Sequence, residues 1–289
     1  SGGGVPTGFP AVDKRVNGGL DEGWLVILAG RPGMGKTSKA LQISINFASN
    51  GVPSLICSQE MQSGQLIDRA VAIEGRLDLS KIISGEMTEE DHEKLQFVLS
   101  RINDIPLFID EQGSLRIEDV RRKARQVKRD TGGSLGLVVI DFLQLMVGDG
   151  ENRTREMTAI TGALKSLAKE LRCPIIALSQ LNREVEKRPN KRPVMADLRE
   201  SGSIEQDADV IWALYRDEVY NPDSMDKGLA ELLWLKNRQG APGGMTPLLW
   251  TGPHVRFDSM FGEMPSASSE RTGSSGKQVF KNAGFPGDF

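Results

Sequence analysis

The eight residues Gly30-Arg31-Pro32-Gly33-Met34-Gly35-Lys36-Thr37 constrain this chain more than any other stretch, because they fit G-x-x-x-x-G-K-[ST] at every fixed position. Glycines let backbone N–H groups turn inward around an anion, closer than any side chain could approach. Lys36 adds a point charge for β and γ phosphates, Thr37 offers a hydroxyl to Mg²⁺, and a following helix presents its positive end. Such a loop has to sit between a strand and a helix. Val26 to Ala29 is an apolar run that stops at the turn, and Ala40, Leu41, Ile45 and Ala48 recur at helical spacing from Lys36 to about Ala48. Gly30 to Thr37, with Ser38 behind them, are therefore expected to hold the phosphates of a magnesium-bound nucleoside triphosphate.

The rest of the chain repeats the alternation of strand and helix. Ser54 to Ser58, Leu107 to Asp110, Leu137 to Asp141, Pro174 to Leu178 and Val210 to Leu214 read as short strands. Leu137-Val138-Val139-Ile140 is continuously apolar, as a parallel strand covered on both faces would be. Helices are expected around Leu66 to Ala72, over Glu89 to Arg101, and through Met157, Ile160, Leu164, Leu167 and Leu171, which mark one face. The fold class is thus α/β, a mostly parallel central sheet flanked by helices. From Ala230 the texture changes: Leu232 to Lys236 and Pro247 to Trp250 flank a Gly/Pro-rich turn and predict a late β-hairpin.

The run Arg121-Arg122-Lys123-Ala124-Arg125 suggests a nucleic-acid patch. Ile117, Val120, Ala124 and Val127 give its helix an apolar face, however, so a solvated basic face is the better expectation. The net charge of −3 argues against a protein that coats nucleic acid with its outer surface. Cys57 and Cys173, His92 and His254 are each isolated, which disfavours a disulfide or histidine-based metal framework and fits a reducing, cytoplasmic setting. No run of about 18 apolar residues is present to span a membrane. Residues 1–4 read as a linker or cloning remnant, and Pro265 to Lys277 as a Ser/Gly-rich linker. The tail 263–289 ends in Val279 to Phe289, whose three phenylalanines suggest a docking peptide.

Three polar residues follow strand ends, where ligands bind in open parallel sheets. Asp141 closes the most apolar strand and is expected to hold the Mg²⁺ shell with Thr37, partly through water. Glu60, two residues past Ser58, is the candidate base that orients an attacking water, on the expectation that its strand neighbours the phosphate-loop strand. Gln180 is placed to hydrogen-bond the γ-phosphate.

Beyond this generic site, the chain resembles the C-terminal, RecA-like motor domain of the DnaB-type replicative DNA helicases. The resemblance runs over 5–262 and is carried by Arg31 to Thr37, Ile140 to Met146, Leu178 to Arg183, and Lys191 through Asp209. It implies a RecA-like P-loop NTPase that hydrolyses ATP with Mg²⁺ between the subunits of a homo-hexameric ring. The ring moves along single-stranded DNA, with 5′–3′ polarity and with a primase or helicase loader as partner. The resemblance makes Glu60 the catalytic glutamate, Asp141 the metal aspartate, Gln180 the γ-phosphate sensor and Arg69 an arginine near the nucleotide. Lys236 and Arg238 become the basic pair that reaches a neighbour's ATP, and Arg199, Glu200 and Gly202 belong to a loop lining the DNA channel. Gly33 and Gln59 stand where the family commonly has serine and leucine. The family's N-terminal helical domain has no counterpart here, as in a fragment or a shorter relative. A recombinase or clock-type ATPase, and an ATP-dependent assembly module without unwinding, are the competing readings.

Overall fold

A computed structural model describes residues 3–260, so the expectations for residues 1–2 and for the tail 263–289 lie outside the described residues. Nine strands form one sheet there: β1 (Leu25–Gly30), β2 (Ser54–Ser58), β3 (Leu107–Asp110), β4 (Leu137–Asp141), β5 (Ile175–Gln180), β6 (Val210–Tyr215), β7 (Leu229–Asn237), β8 (Met245–Thr251) and β9 (Arg256–Ser259). The helices are α1 (Pro10–Arg15), α2 (Lys36–Ser49), α3 (Ser63–Gly75), α4 (Leu79–Ser84), α5 (Glu89–Asp104), α6 (Ile117–Asp130), α7 (Arg153–Leu171) and α8 (Ser201–Asp207). The strand order is β3-β2-β4-β5-β1-β6-β7-β8-β9, parallel through β6 and antiparallel from β6 onward.

Strand periodicity divides the core into two layers. Val26 and Leu28 of β1 pack into one cluster with α2, α3 and α5, while Leu25, Ile27 and Ala29 pack into the other with α6 and α7. Every residue of β1 and β6 is buried, which is why these segments read as unbroken apolar runs. The hairpin is β7–β8, longer than the sequence indicates, and β9 extends it. Arg-Phe-Asp-Ser carries one apolar side chain and no alternation strong enough to announce a strand. The short helices α1, α4 and α8 likewise span too few turns to show a period.

The basic run lies on α6, with Val120, Ala124 and Val127 buried beneath it. Arg121 and Arg125 both pair with Glu170 (2.9 and 3.1 Å), Lys123 with Asp110 (2.7 Å) and Arg122 with Asp119 (3.2 Å). Its cations are thus engaged by carboxylates of α6 itself, of α7 and of the end of β3.

One expectation about Glu60 is corrected by the strand order. β2 does not neighbour β1, because β4 and β5 stand between them. Glu60 still reaches the site, as described next, because the loop after β2 is clipped to the end of β4.

Candidate active site

The carboxyl ends of β1, β2, β4 and β5 open into one cleft of about 310 Å³. Arg31, Pro32, Gly33, Gly35, Lys36, Thr37 and Ser38 line it from the phosphate loop; Glu60, Arg69, Asp141 and Gln180 line it from elsewhere. Gly30 contributes its carbonyl oxygen, which accepts a 2.5 Å hydrogen bond from Lys36 Nζ. Met34 belongs to the loop through its backbone only; its side chain is buried, and its sulfur accepts the backbone N–H of Arg216 at 3.2 Å.

Gly35 shows why the loop demands glycine. It precedes α2 with φ +97°, and a Cβ there would come within 2.7 Å of Phe257 Cζ and 3.3 Å of Trp250. The Thr37 hydroxyl donates to Asp141 Oδ2 at 3.0 Å, bringing the two expected metal-shell groups into contact. Burial raises the Asp141 pKa, opposed by the Thr37 bond and the Lys36 charge, while the nearby Glu60 charge adds to the rise. Burial pulls Lys36 down to about 8, Asp141 working against the fall and Arg31 with it. The loop therefore carries a cation that is under-solvated until a polyanion arrives.

Gln59 fixes the approach of Glu60. Its backbone N–H donates to Asp141 O (3.0 Å), its side-chain amide to Phe142 O (2.9 Å), and its Oε1 accepts the Leu115 N–H (3.0 Å). The exposed Glu60 follows directly, so its backbone position is set by β4 rather than by β1. Arg31 is held at the edge of the loop by Glu186 (2.9 Å) and the Leu181 carbonyl (2.9 Å).

Sequence reasoning missed the other wall. Trp250 of β8 and Val255, before β9, close the cleft. Trp250 packs against Phe257 with ring centroids 4.6 Å apart, and the Arg216 guanidinium stands 4.7 Å from its ring centre. A flat aromatic face beside a phosphate loop suits a nucleobase. No local pattern marks Trp250, since it comes from a hairpin far downstream of the loop in sequence.

Arg199 is exposed, and among the described residues it has no hydrogen-bond or ion-pair partner. Glu200 adopts φ +54° at the start of α8, and Gly202 is exposed with open space around it. These residues lie outside the cleft but close to it in the backbone network. Leu181 and Leu198 form an antiparallel bridge, and the Asn182 N–H donates to Asp197 O at 2.9 Å. Gln180 and Arg199 therefore flank the same bridge on the same side. Asp197 is buried and clamped by Arg188 through two bonds of 2.6 and 2.7 Å.

Lys236 and Arg238 do not line the cleft. Asn237 pairs with Val210, whose parallel neighbour is Val26, so this end of β7 lies at the amino ends of the parallel strands. Lys236 donates to Glu205 O, and Arg238 to Asp209 (2.8 Å) and Gln206 O (3.1 Å). The length of β1, roughly 17 Å at strand rise, separates them from the phosphate loop of their own chain.

A phosphate loop, a glutamine on the neighbouring strand end and a carboxylate on the next, all on a mostly parallel sheet, define a RecA-like P-loop NTPase domain. Within that class, residues 4–259 match the family model of the DnaB-like helicase C terminal domain, and the chain belongs to that family. It is 44% identical over 258 residues to the replicative DNA helicase DnaB of Geobacillus stearothermophilus, covering 88% of this chain and 56% of that protein. It is 46% identical over 262 residues to DnaB of Pasteurella multocida (strain Pm70), covering 89% and 56%. The chain thus spans about half the length of the curated relatives it matches. Among solved structures, one ATPase domain superposes with a TM-score of 0.85 at 36% identity, over 89% of this chain and 91% of that one. A DnaB-like replicative helicase, described with its interactions with primase, gives the same TM-score of 0.85 and 36% identity over 89% of this chain and 62% of that one.

Proposed function

We propose that this chain is the ATP-hydrolysing motor domain of a replicative DNA helicase, acting as one subunit of a hexameric ring that encircles single-stranded DNA. The observation that carries this reading is the Leu181–Leu198 bridge, which has Gln180 of the cleft on one side of it together with Arg199, unpartnered among the described residues. A displacement of β5 on loss of the γ-phosphate is passed to Arg199 through one backbone pairing.

In this reading Lys36 and the loop N–H groups bind the phosphates, and Trp250 supports the base. The Glu60 carboxylate orients the attacking water and accepts its proton. Thr37 and Asp141 would hold Mg²⁺, which when bound would neutralise charge on the phosphates. A hydroxyl and a single carboxylate, 3.0 Å apart, fit that ion. Mg²⁺ in phosphoryl-transfer sites takes one or two protein carboxylates together with phosphate and water, not a protein cage.

Lys236 and Arg238 complete a neighbour's site, since the fold holds them at the opposite end of the sheet from their own. Arg199, Glu200 and Gly202 line the DNA channel, where Arg199 pairs with backbone phosphates. A few such contacts per subunit, repeated around a ring, supply affinity without a basic exterior. The polarity expected from the family is 5′–3′, and a primase or loader is the expected protein partner.

The decisive experiment measures ATP hydrolysis by the assembled hexamer with and without single-stranded DNA. Stimulation by DNA, lost in Arg199→Ala while the DNA-free rate persists, is the expected result. Equal turnover with and without DNA refutes the helicase reading and leaves an ATPase.

A further inference from the structure

The sheet splits beneath the cleft. β4 and β5 pair only from Val138↔Ile175 to Ile140↔Ala177. On their outer sides both strands continue in register, β2 with β4 to Ser58↔Asp141 and β1 with β5 to Gly30↔Gln180. The two residues bordering the gap at its open end, Asp141 and Gln180, both line the cleft. One side chain fills the place of the missing ladder bonds. Gln144, in the single turn Leu143–Leu145 after β4, accepts the Gln180 backbone N–H on Oε1 at 3.1 Å and donates from Nε2 to Ser179 Oγ at 2.9 Å. Ser179 is fully buried, so its hydroxyl is a fixed anchor and not a solvated one. The backbone of Gln144 is itself held, because Arg153 at the start of α7 donates to the Gln144 carbonyl at 2.6 Å and to the Met146 carbonyl at 3.2 Å.

We propose that Gln144 is a positioning residue that aligns Gln180 with Asp141 across the split between β4 and β5. This rests on the reading of Gln180 as the group that senses the γ-phosphate. A side-chain amide serves this purpose better than a continuous ladder. Its carbonyl oxygen accepts and its NH₂ donates at the end of a rotatable stem, so both bonds can follow a small shift of β5 as Gln180 tracks the phosphate. The polar atoms it satisfies lie beside the reacting groups, where a displacement of about 1 Å lowers turnover by as much as 10²-fold.

The test is steady-state ATP hydrolysis with Mg²⁺ and single-stranded DNA on Q144L, Q144E, Q180A and Q144L/Q180A. Q144L keeps the bulk and loses both bonds; its kcat should fall about tenfold to a hundredfold, with the KM for ATP within about twofold of wild type. Q144E should recover most of the rate, because a carboxylate accepts the Gln180 N–H and the Ser179 hydroxyl turns to donate. On the Q180A background Q144L should cause no further loss. Q144N, with its shorter reach, carries the same expectations if Q144L fails to fold.

A wild-type kcat in Q144L with a slow Q180A overturns the role of Gln144 alone. An equal fold-loss on both backgrounds also overturns it, since that is the mark of a general structural effect. Wild-type turnover in Q180A removes the sensing role of Gln180 and the proposal with it.

Discussion

Replacing Lys36 by methionine should stabilise the nucleotide-free protein while abolishing its turnover. The loop shields most of the side chain from water, and this burial holds its pKa at about 8 against an ordinary 10.5. That displacement corresponds to about 3 kcal/mol of unfavourable free energy for the ammonium in the folded state. Methionine also forfeits the bond from Lys36 Nζ to the Gly30 carbonyl, a separate loss of roughly 1.5–3 kcal/mol. Lys36→Met removes both the penalty and the bond, for a net gain of about 1 kcal/mol near pH 7, or roughly 2–4 °C in Tm for a domain of this size. The pH dependence follows from the depressed pKa. The penalty is fully present below about 8 and is relieved as pH rises from there through 10.5, because the folded protein releases its proton first. The advantage of the variant should therefore shrink by about pH 9.5. Saturating nucleotide should reverse the order, since ligand at about 100 times its Kd adds about 2.7 kcal/mol to the wild type and little to the variant. Thermal melts of both proteins at the two pH values, with and without nucleotide, measure all of this. A variant that melts below wild type near neutral pH without nucleotide, or a gap that persists at high pH, refutes the claim that the loop stores an under-solvated charge.

Three further outcomes are expected. Glu60→Gln should lower hydrolysis by about a hundredfold or more while a fluorescent nucleotide analogue still binds; a rate within a few-fold of wild type would exclude Glu60 as the base. Arg238→Ala and Lys36→Met should each be inactive alone, yet mixed hexamers should regain turnover, because some interfaces then pair an intact phosphate loop with an intact Arg238 from the neighbour. No recovery in demonstrably mixed rings counts against action in trans. Trp250→Ala should raise the KM for ATP roughly tenfold, the scale of a lost base–aromatic stack, with kcat nearly unchanged. An unaltered KM would mean that the base lies elsewhere.

How much of this site is legible in the sequence depends on whether each part is local. The phosphate loop is fully legible, because its chemistry resides in backbone N–H groups of contiguous residues and glycine is the residue that frees them. Strand limits such as Leu137–Asp141 are legible too, since a strand buried on both faces must be apolar until it ends, and Asp141 marks the end. Strand order is not. The parallel strands are interchangeable apolar runs, and their sequence across the sheet is decided by how α2, α3, α6 and α7 pack on its two faces. This is why the strand before Glu60 lies away from its expected neighbour, and why Glu60 reaches the cleft by way of Gln59. Trp250, Gln144 and the Gln180–Arg199 adjacency belong to the same class, each a meeting of segments distant in sequence. Residue order alone sets the phosphate loop and the strand ends. Which side chains those ends face is settled by packing, because direction and distance between separate segments exist only once the sheet has formed.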